Sequence, residues 1–303
     1  MTPPAVPADR LQVQRREAER IRIRTRRLVD GIFAGQYHSV FKGSGVEFAE
    51  VREYVPGDDV RAIDWNVTAR TGIPFVKRYI EERELAVMLL VDVSASGLFG
   101  SVDRLKSETM VRLAAILAES ALRNNDQVGF LLFSDRIERF EPPRKDRHRT
   151  LRLLHELLTF VPESQGTDLA AALEHLEKVV RRRTVTFLLS DFLARGYERA
   201  LRRAHRRHEI VPVCVADRHE RRLPSVGLLA VRDLETGKEI LLDTRSAEVR
   251  RHYEERWRAA AAARGQLFAS LGIDAVDVGT DGDHVRPLLR YFRLREQRRR
   301  DRR

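Results

Sequence analysis

A single cysteine, Cys214, in 303 residues leaves nothing to build a disulfide framework from. It lies inside the apolar run Ile210-Val-Pro-Val-Cys-Val215, where a buried strand position is expected rather than a reactive thiol. No apolar run approaches the roughly 18–20 residues that a membrane-spanning helix needs. The arginine-rich N-terminus lacks an apolar core, so it does not read as a secretory signal. A cytoplasmic protein without disulfides is the expectation. Motifs of catalysis are missing as well. There is no G-x-x-x-x-G-K-[ST] loop for phosphates, no G-x-S-x-G elbow, no H-E-x-x-H helix and no cysteine cluster for zinc. His148, His155, His205 and His208 stand in basic helical contexts and are expected on solvated faces. Lysine is scarce, six of 56 basic residues, so arginine carries the net charge of +11. A general arginine and alanine bias would explain that equally well. The charge sits at the ends: residues 1–27 are net +5 and residues 286–303 net +7, leaving 28–285 near neutral. That argues against a nucleic-acid groove across the body. It leaves open an RNA- or membrane-surface role for the two basic ends.

The most apolar stretch, Leu85-Ala-Val-Met-Leu-Leu-Val91, runs directly into Asp92-Val93-Ser94-Ala95-Ser96. One carboxylate and two hydroxyls thus stand where a buried strand ends and a loop begins. In an open α/β sheet, ligand sites form past the carboxyl ends of the strands. These hard oxygen donors suit Mg2+ or Mn2+. Val185-Thr-Phe-Leu-Leu-Ser190 is a second apolar strand, ending at Asp191. Gly166-Thr167-Asp168 opens an apolar-periodic helix carrying Leu169, Ala172, Leu173 and Leu176. A purely structural alternative is open, because Asp, Ser and Thr also serve as turn and cap residues.

The rest of the chain alternates in period. Asp9 to about Gly31 reads as a charged helix with a thin apolar stripe. Residues 39–83 hold short alternating runs between turn clusters, a small β-rich segment. There Trp65 is expected as a core anchor, and Asp58, Asp59, Arg61 and Asp64, with Arg70, as an ion-pair set or a docking surface. From residue 85 strands and helices follow one another. Helices are expected over 103–123, 149–160, 168–181, 196–207 and 245–271. Strands are expected over 127–133, 183–190, 208–215 and 273–278. A short partner strand at 136–140, a hairpin around Glu235-Thr-Gly237 and a basic helix from about 284 complete the pattern. Repeated βα units imply a mostly parallel sheet with helices on both faces.

Asp-x-Ser-x-Ser, a later Thr at a helix start and an Asp at a strand end resemble the metal-ion-dependent adhesion site of von Willebrand factor A domains. The resemblance implies that Ser94, Ser96 and Thr167 ligate the metal directly. Asp92 and Asp191 would act through water and hydrogen bonds, leaving an open position for a partner's carboxylate. The order Gly45-Val-Glu-Phe-Ala-Glu-Val-Arg52, Tyr54-Val-Pro-Gly-Asp-Asp-Val-Arg61 and Ile63-Asp-Trp-Asn66 is similar to the bacterial family catalogued as domain of unknown function 58. Many of its members carry membrane helices before this segment, which this chain lacks. The family is associated with MoxR-type AAA+ ATPases and the maturation or assembly of other proteins. Four parts are expected: a charged helix at 1–34, a β-rich segment at 35–83, a Rossmann-like von Willebrand factor A domain at 84–285 and a basic helix or tail at 286–303. The expected function is a non-enzymatic, Mg2+-dependent protein-binding adaptor working with a MoxR-type ATPase or its client. A metal-dependent hydrolase, which would need more carboxylates, ranks last.

Overall fold

The computed structural model describes Tyr37, Val40 and residues 47–80, 84–101, 104–232, 234 and 237–301. The helix expected over Asp9–Gly31 lies outside the described residues. The chain forms two compact units, a small one over Phe41–Leu85 and a large one containing Ala86–Arg303.

In the small unit, β1 (Glu47–Glu53) pairs antiparallel with β2 (Phe75–Ile80), bringing Glu53 opposite Phe75 and Val51 opposite Lys77. The alternating runs become these two strands. Between them lies α1 (Trp65–Thr71), which the alternation does not announce. Its caps define it. Asp64 Oδ1 accepts from the Asn66 and Val67 N–H groups at 3.0 and 3.4 Å, and Gly72 ends the helix with φ 75°. Of the expected ion-pair set, the described contacts show two carboxylates in turns. Asp58 pairs with Arg52 at 2.7 Å and accepts the Val55 N–H, while Asp59 accepts the Arg61 N–H. These carboxylates close turns. Trp65 is 66% exposed and anchors no core. It takes the first helical position after the cap, and a helix of two turns is too short for sequence to reveal its buried side.

The large unit is built on a six-stranded sheet. Its chain order is β3 (Ala86–Asp92), α2 (Lys106–Arg123), β4 (Gln127–Phe133), β5 (Ile137–Arg144), α3 (Arg147–Leu158), α4 (Leu169–Val179), β6 (Val185–Ser190), α5 (Glu198–Arg207), β7 (Glu209–Ala216), α6 (Arg218–Arg221), β8 (Leu228–Arg232), β9 (Glu239–Asp243), α7 (Ala247–Ser270), β10 (Val276–Gly279) and α8 (Val285–Asp301). Strands lie in the order β10-β7-β6-β3-β4-β5, all parallel except β5. This is the expected α/β architecture, a mostly parallel central sheet with helices on both faces. Every residue of β3 is buried, as a central strand covered on both faces requires. Met88 and Leu90 pack with Leu173, Leu176 and Leu201 of α4 and α5. The alternation of the strand gives Val87, Leu89 and Val91 to the opposite face, where α2 packs.

At the sheet edge β5 runs past the expected end at Phe140, through Pro142 and Pro143, which an edge strand tolerates. It crosses β4 at Gly129, where a Cβ would lie 2.5 Å from Met88 Sδ and 2.7 Å from the Pro143 nitrogen. The β8–β9 hairpin forms as expected but stands apart from the main sheet. The basic C-terminal segment is helical and buries Leu288 and Phe292, the latter edge-on to Tyr37. Helix α7 departs from expectation. It continues through Gly265, yet only Phe268 of its long apolar face is fully buried. Among the described residues, no helix is long and apolar enough to cross a membrane.

His148 and His155 are exposed as expected, but His208 is not. It is 1% exposed, at the start of β7, with Nδ1 2.9 Å from Thr184 Oγ1. Burial, and the charges of Arg207 and Arg183, push its pKa down to about 4. The folded protein therefore holds His208 neutral, while the unfolded chain takes up a proton below about pH 6.5. The contribution of His208 to stability is expected to fall by on the order of 2 kcal/mol as the pH drops from 6.5 towards 4. Urea unfolding of wild type against His208→Asn across that range isolates it: the stability difference between the two should change by that amount.

Candidate metal centre

The chain leaves β3 for β4 on one side and returns from β5 to β6 on the other side of β3. The crevice at its carboxyl end is the switch point of the sheet. Asp92 is the last residue of β3. Val91 pairs with Leu189, so the next residues, Asp92 and Ser190, come level. Ser190 Oγ donates to Asp92 Oδ2 at 2.7 Å, and the Ser94 N–H donates to Oδ1 at 3.0 Å. Ser94 begins a 3-10 turn (Ala95–Leu98) without using its hydroxyl as a cap. That hydroxyl lies 3.1 Å from Ser96 Oγ.

The loop bearing Thr167 is tied in from both sides. Ala95 N–H donates to Gln165 O at 3.0 Å, and Asp168 N–H donates to Ser134 O at 2.8 Å. Asp168 is the N-cap of α4, accepting the Ala171 N–H at 2.9 Å. Thr167 is thus not the helix cap. Immediately after β6, Asp191 is buried, and the next residue, Phe192, sits at φ 55°. This left-handed turn is costly for a bulky residue. It is held by edge-to-face packing of Phe192 on Tyr197 and Phe268. The structure therefore brings all five expected residues to one edge of the sheet.

Other members of the site went unrecognised in the sequence. Lys106, 1% exposed, places Nζ 2.7 Å from Asp191 Oδ2 and 2.5 Å from Glu220 Oε1. Asp191 Oδ1 accepts the Leu193 N–H at 3.1 Å. Glu220 belongs to a capping box, accepting the Asp217 N–H at 2.9 Å. Asp217 in turn accepts from Ser101 Oγ at 2.5 Å and Thr280 Oγ1 at 2.7 Å. A polar chain thus crosses the carboxyl edge of the sheet. Lys106 did leave a signal: it shares a helical face with Met110, Leu113 and Leu117, where a charge is out of place. Nothing local marks Glu220.

The electrostatics follow from burial. Desolvation and the nearby Asp191 charge push the Asp92 carboxyl up to about 6, against the pull of its hydrogen bonds from Ser94 and Ser190. Desolvation would lower Lys106, but Asp191 and Glu220 outweigh it and hold the ammonium above its ordinary value. Desolvation would raise Asp217, but the hydrogen bonds from Ser101, Thr280 and the His219 N–H bring it down to about 2. Among the described residues no group of three or more His, Cys, Asp or Glu could hold a metal. A cation at this edge would have to be met by hydroxyls, and the donor set of Ser94, Ser96 and Thr167 fits a hard ion such as Mg2+. Beside it opens a cavity of about 470 Å³, walled by Leu98, Leu105, Val111, Leu157, Phe160 and Val161 and reaching Asp92 and Ser94.

Residues 50–263 match the model of the family described as protein of unknown function DUF58. The chain is similar to uncharacterised proteins of Mycobacterium bovis and Mycobacterium tuberculosis, each 32% identical over 277 residues, spanning 89% of this chain and 86% of theirs. Solved structures with some likeness include the conserved hypothetical protein BatB from Bacteroides thetaiotaomicron, at 18% identity and TM-score 0.38 over 62% of this chain and 98% of that one. The SpRpn10 VWA domain is similar at 13% identity and TM-score 0.38, over 69% of this chain and 94% of that one.

Proposed function

This chain belongs to the family described as protein of unknown function DUF58, and from that premise we propose that it is a non-enzymatic, Mg2+-dependent protein-binding adaptor. The supporting observation is the state of its two carboxylates. Both oxygens of Asp92 accept hydrogen bonds from Ser94 and Ser190, and both oxygens of Asp191 from Leu193 and Lys106. The protein has already engaged them, which leaves the hydroxyls of Ser94, Ser96 and Thr167 as the proposed ligands. Bound there, Mg2+ supplies a Lewis-acidic position with little anionic ligation, suited to an acidic side chain from another protein. Asp92 orients the Ser94 loop. Asp191, half-neutralised by Lys106, stays behind the ligands. Loops 97–102, 164–168 and 192–196 shape access and confer specificity. A hydrolase would need carboxylates free to hold metal and activate water, and these are not free.

The partner we propose, a MoxR-type AAA+ ATPase or its client, rests on the family resemblance alone. The alternative through basic ends gains no support from α8, where Arg295 pairs with Glu209 and Arg298 with Asp274. The test is an affinity pull-down from native lysate in Mg2+ and in EDTA, with Asp92→Ala in Mg2+ as the third arm. A partner captured only by wild type in Mg2+ is the expected result. The same partners in all three arms would refute metal-bridged recognition.

A further inference from the structure

The turn after β7 sorts its charges. Of Asp217-Arg218-His219-Glu220-Arg221-Arg222, both acids face inward. Asp217 is fully buried among Ser101, Thr280 and the His219 N–H, and Glu220 bonds Lys106. Outside, Arg218, His219 and Arg222 line a cavity of about 410 Å³ together with Arg250 of α7. The Arg250 guanidinium donates to the Thr244 and Arg245 carbonyls at 2.5 and 2.8 Å, so it is held in place with its charge uncompensated. Leu223, Pro224 and Ser225 complete the wall, and no acidic residue lines it. Among the described residues none of these four basic side chains has a carboxylate partner.

This cluster adjoins the metal centre. One ammonium, that of Lys106, bonds both Asp191 and Glu220, so α6 and the end of β6 flank the same buried charge. Arg264, further along α7, donates to the Asp191 carbonyl at 3.3 Å. The body of the chain is close to neutral, so the patch is a local feature.

We propose that Arg218, Arg222 and Arg250, with His219, recognise an acidic segment of the protein partner, adjacent to the carboxylate that completes the metal. The inference rests on the metal-dependent adaptor reading and extends it from one acidic side chain to a run of them. Guanidinium forks match carboxylates in pairs. The patch is one helical turn plus one residue of a neighbouring helix, the span of two or three consecutive Asp or Glu residues. A nucleic-acid backbone needs a longer basic track, and here Asp243 and Glu248 interrupt the surface on either side of Arg245.

The experiment is fluorescence anisotropy of a labelled hexaglutamate peptide against the full chain in Mg2+, with hexaglutamine as control. Inorganic phosphate and a single-stranded oligonucleotide serve as competitors. The double variant Arg218→Glu/Arg222→Glu should weaken hexaglutamate binding at least about tenfold. Its Mg2+ affinity, read by calorimetry, should stay unchanged, and Arg218→Gln/Arg222→Gln should weaken peptide binding less. Because these side chains are exposed, circular dichroism should show both variants folded. Affinity within twofold of wild type after charge reversal would overturn the proposal, whatever EDTA does. Tighter binding of the oligonucleotide or phosphate at this cluster would overturn it too. Binding lost on charge reversal but indifferent to EDTA and to Asp92→Ala would support the acidic-segment site while refuting the metal-dependent reading beneath it.

Discussion

Replacing Lys106 by methionine should destabilise the large unit by about 3–5 kcal/mol, the usual cost of stripping one partner from a buried ion pair. The methionine keeps the length and the packing of the stem. What disappears is the one cation that, among the described residues, pairs with these two carboxylates, whose side chains are 3% and 15% exposed. Asp191 is then left beside Asp92 with no ammonium at its Oδ2. Urea unfolding of wild type and variant at pH 7.5 measures the difference. Adding Glu220→Gln to Lys106→Met should recover part of the loss, since one uncompensated carboxylate is removed. A destabilisation below about 1 kcal/mol would mean the network is more hydrated than its burial implies.

Asp92→Asn should do two things that rarely go together: abolish Mg2+ binding and raise the stability of the metal-free protein. The amide can still accept the Ser94 N–H, and the Ser190 hydroxyl can turn to accept from it. The sign follows from the raised pKa. Asp92 ionises near 4 when unfolded and at about 6 when folded. Its folded-state penalty is absent below pH 4, grows as the pH rises through 6 and is complete above it. At pH 7.5 in EDTA the asparagine variant should therefore be more stable by on the order of 2 kcal/mol. At pH 5, midway between the two values, about half of that gain should remain, and by pH 4 most of it should be gone. Calorimetry with millimolar Mg2+ should show heat for wild type and none for the variant. A variant that still binds Mg2+, or that is less stable at pH 7.5, would remove Asp92 from the role given to it. A carboxylate that destabilises the fold where it stands is a mark of a functional position.

Much of the fold was legible because period and length were unambiguous. The apolar runs at 85–91, 127–133 and 185–190 became central strands within a residue or two, and the helices between them followed. Long elements average over many side chains, so a few exceptions do not mislead. Short elements do not average. α1 rests on the caps Asp64 and Gly72, and Trp65 could only be assigned to a face once the helix phase was known. α7 failed in the opposite way: its apolar periodicity is genuine, but periodicity says which side is apolar and not whether anything covers it. The candidate residues Asp92, Ser94, Ser96, Thr167 and Asp191 could be picked out because each lies at or just beyond a strand end or just before a helix. His208 looked solvated from its arginine neighbours and proved buried, because a strand begins where it stands. Lys106 and Glu220 define each other across 114 residues, and no window of sequence contains both.

That separation has a consequence for biogenesis. Lys106 meets Asp191 across 85 residues, Glu220 across 114, and Ser101 meets Asp217 across 116. Contacts of such span close late, after the local helices and the hairpin have formed. A nascent chain that has reached Arg207 already holds the three central strands and all five candidate metal residues, but not Glu220. Its Lys106 would have half of its final bonding, and the cluster of Arg218, Arg222 and Arg250 would not yet exist. The finished recognition edge is thus a late product of folding, withheld from any partner until β7, the turn beyond it and α7 have docked.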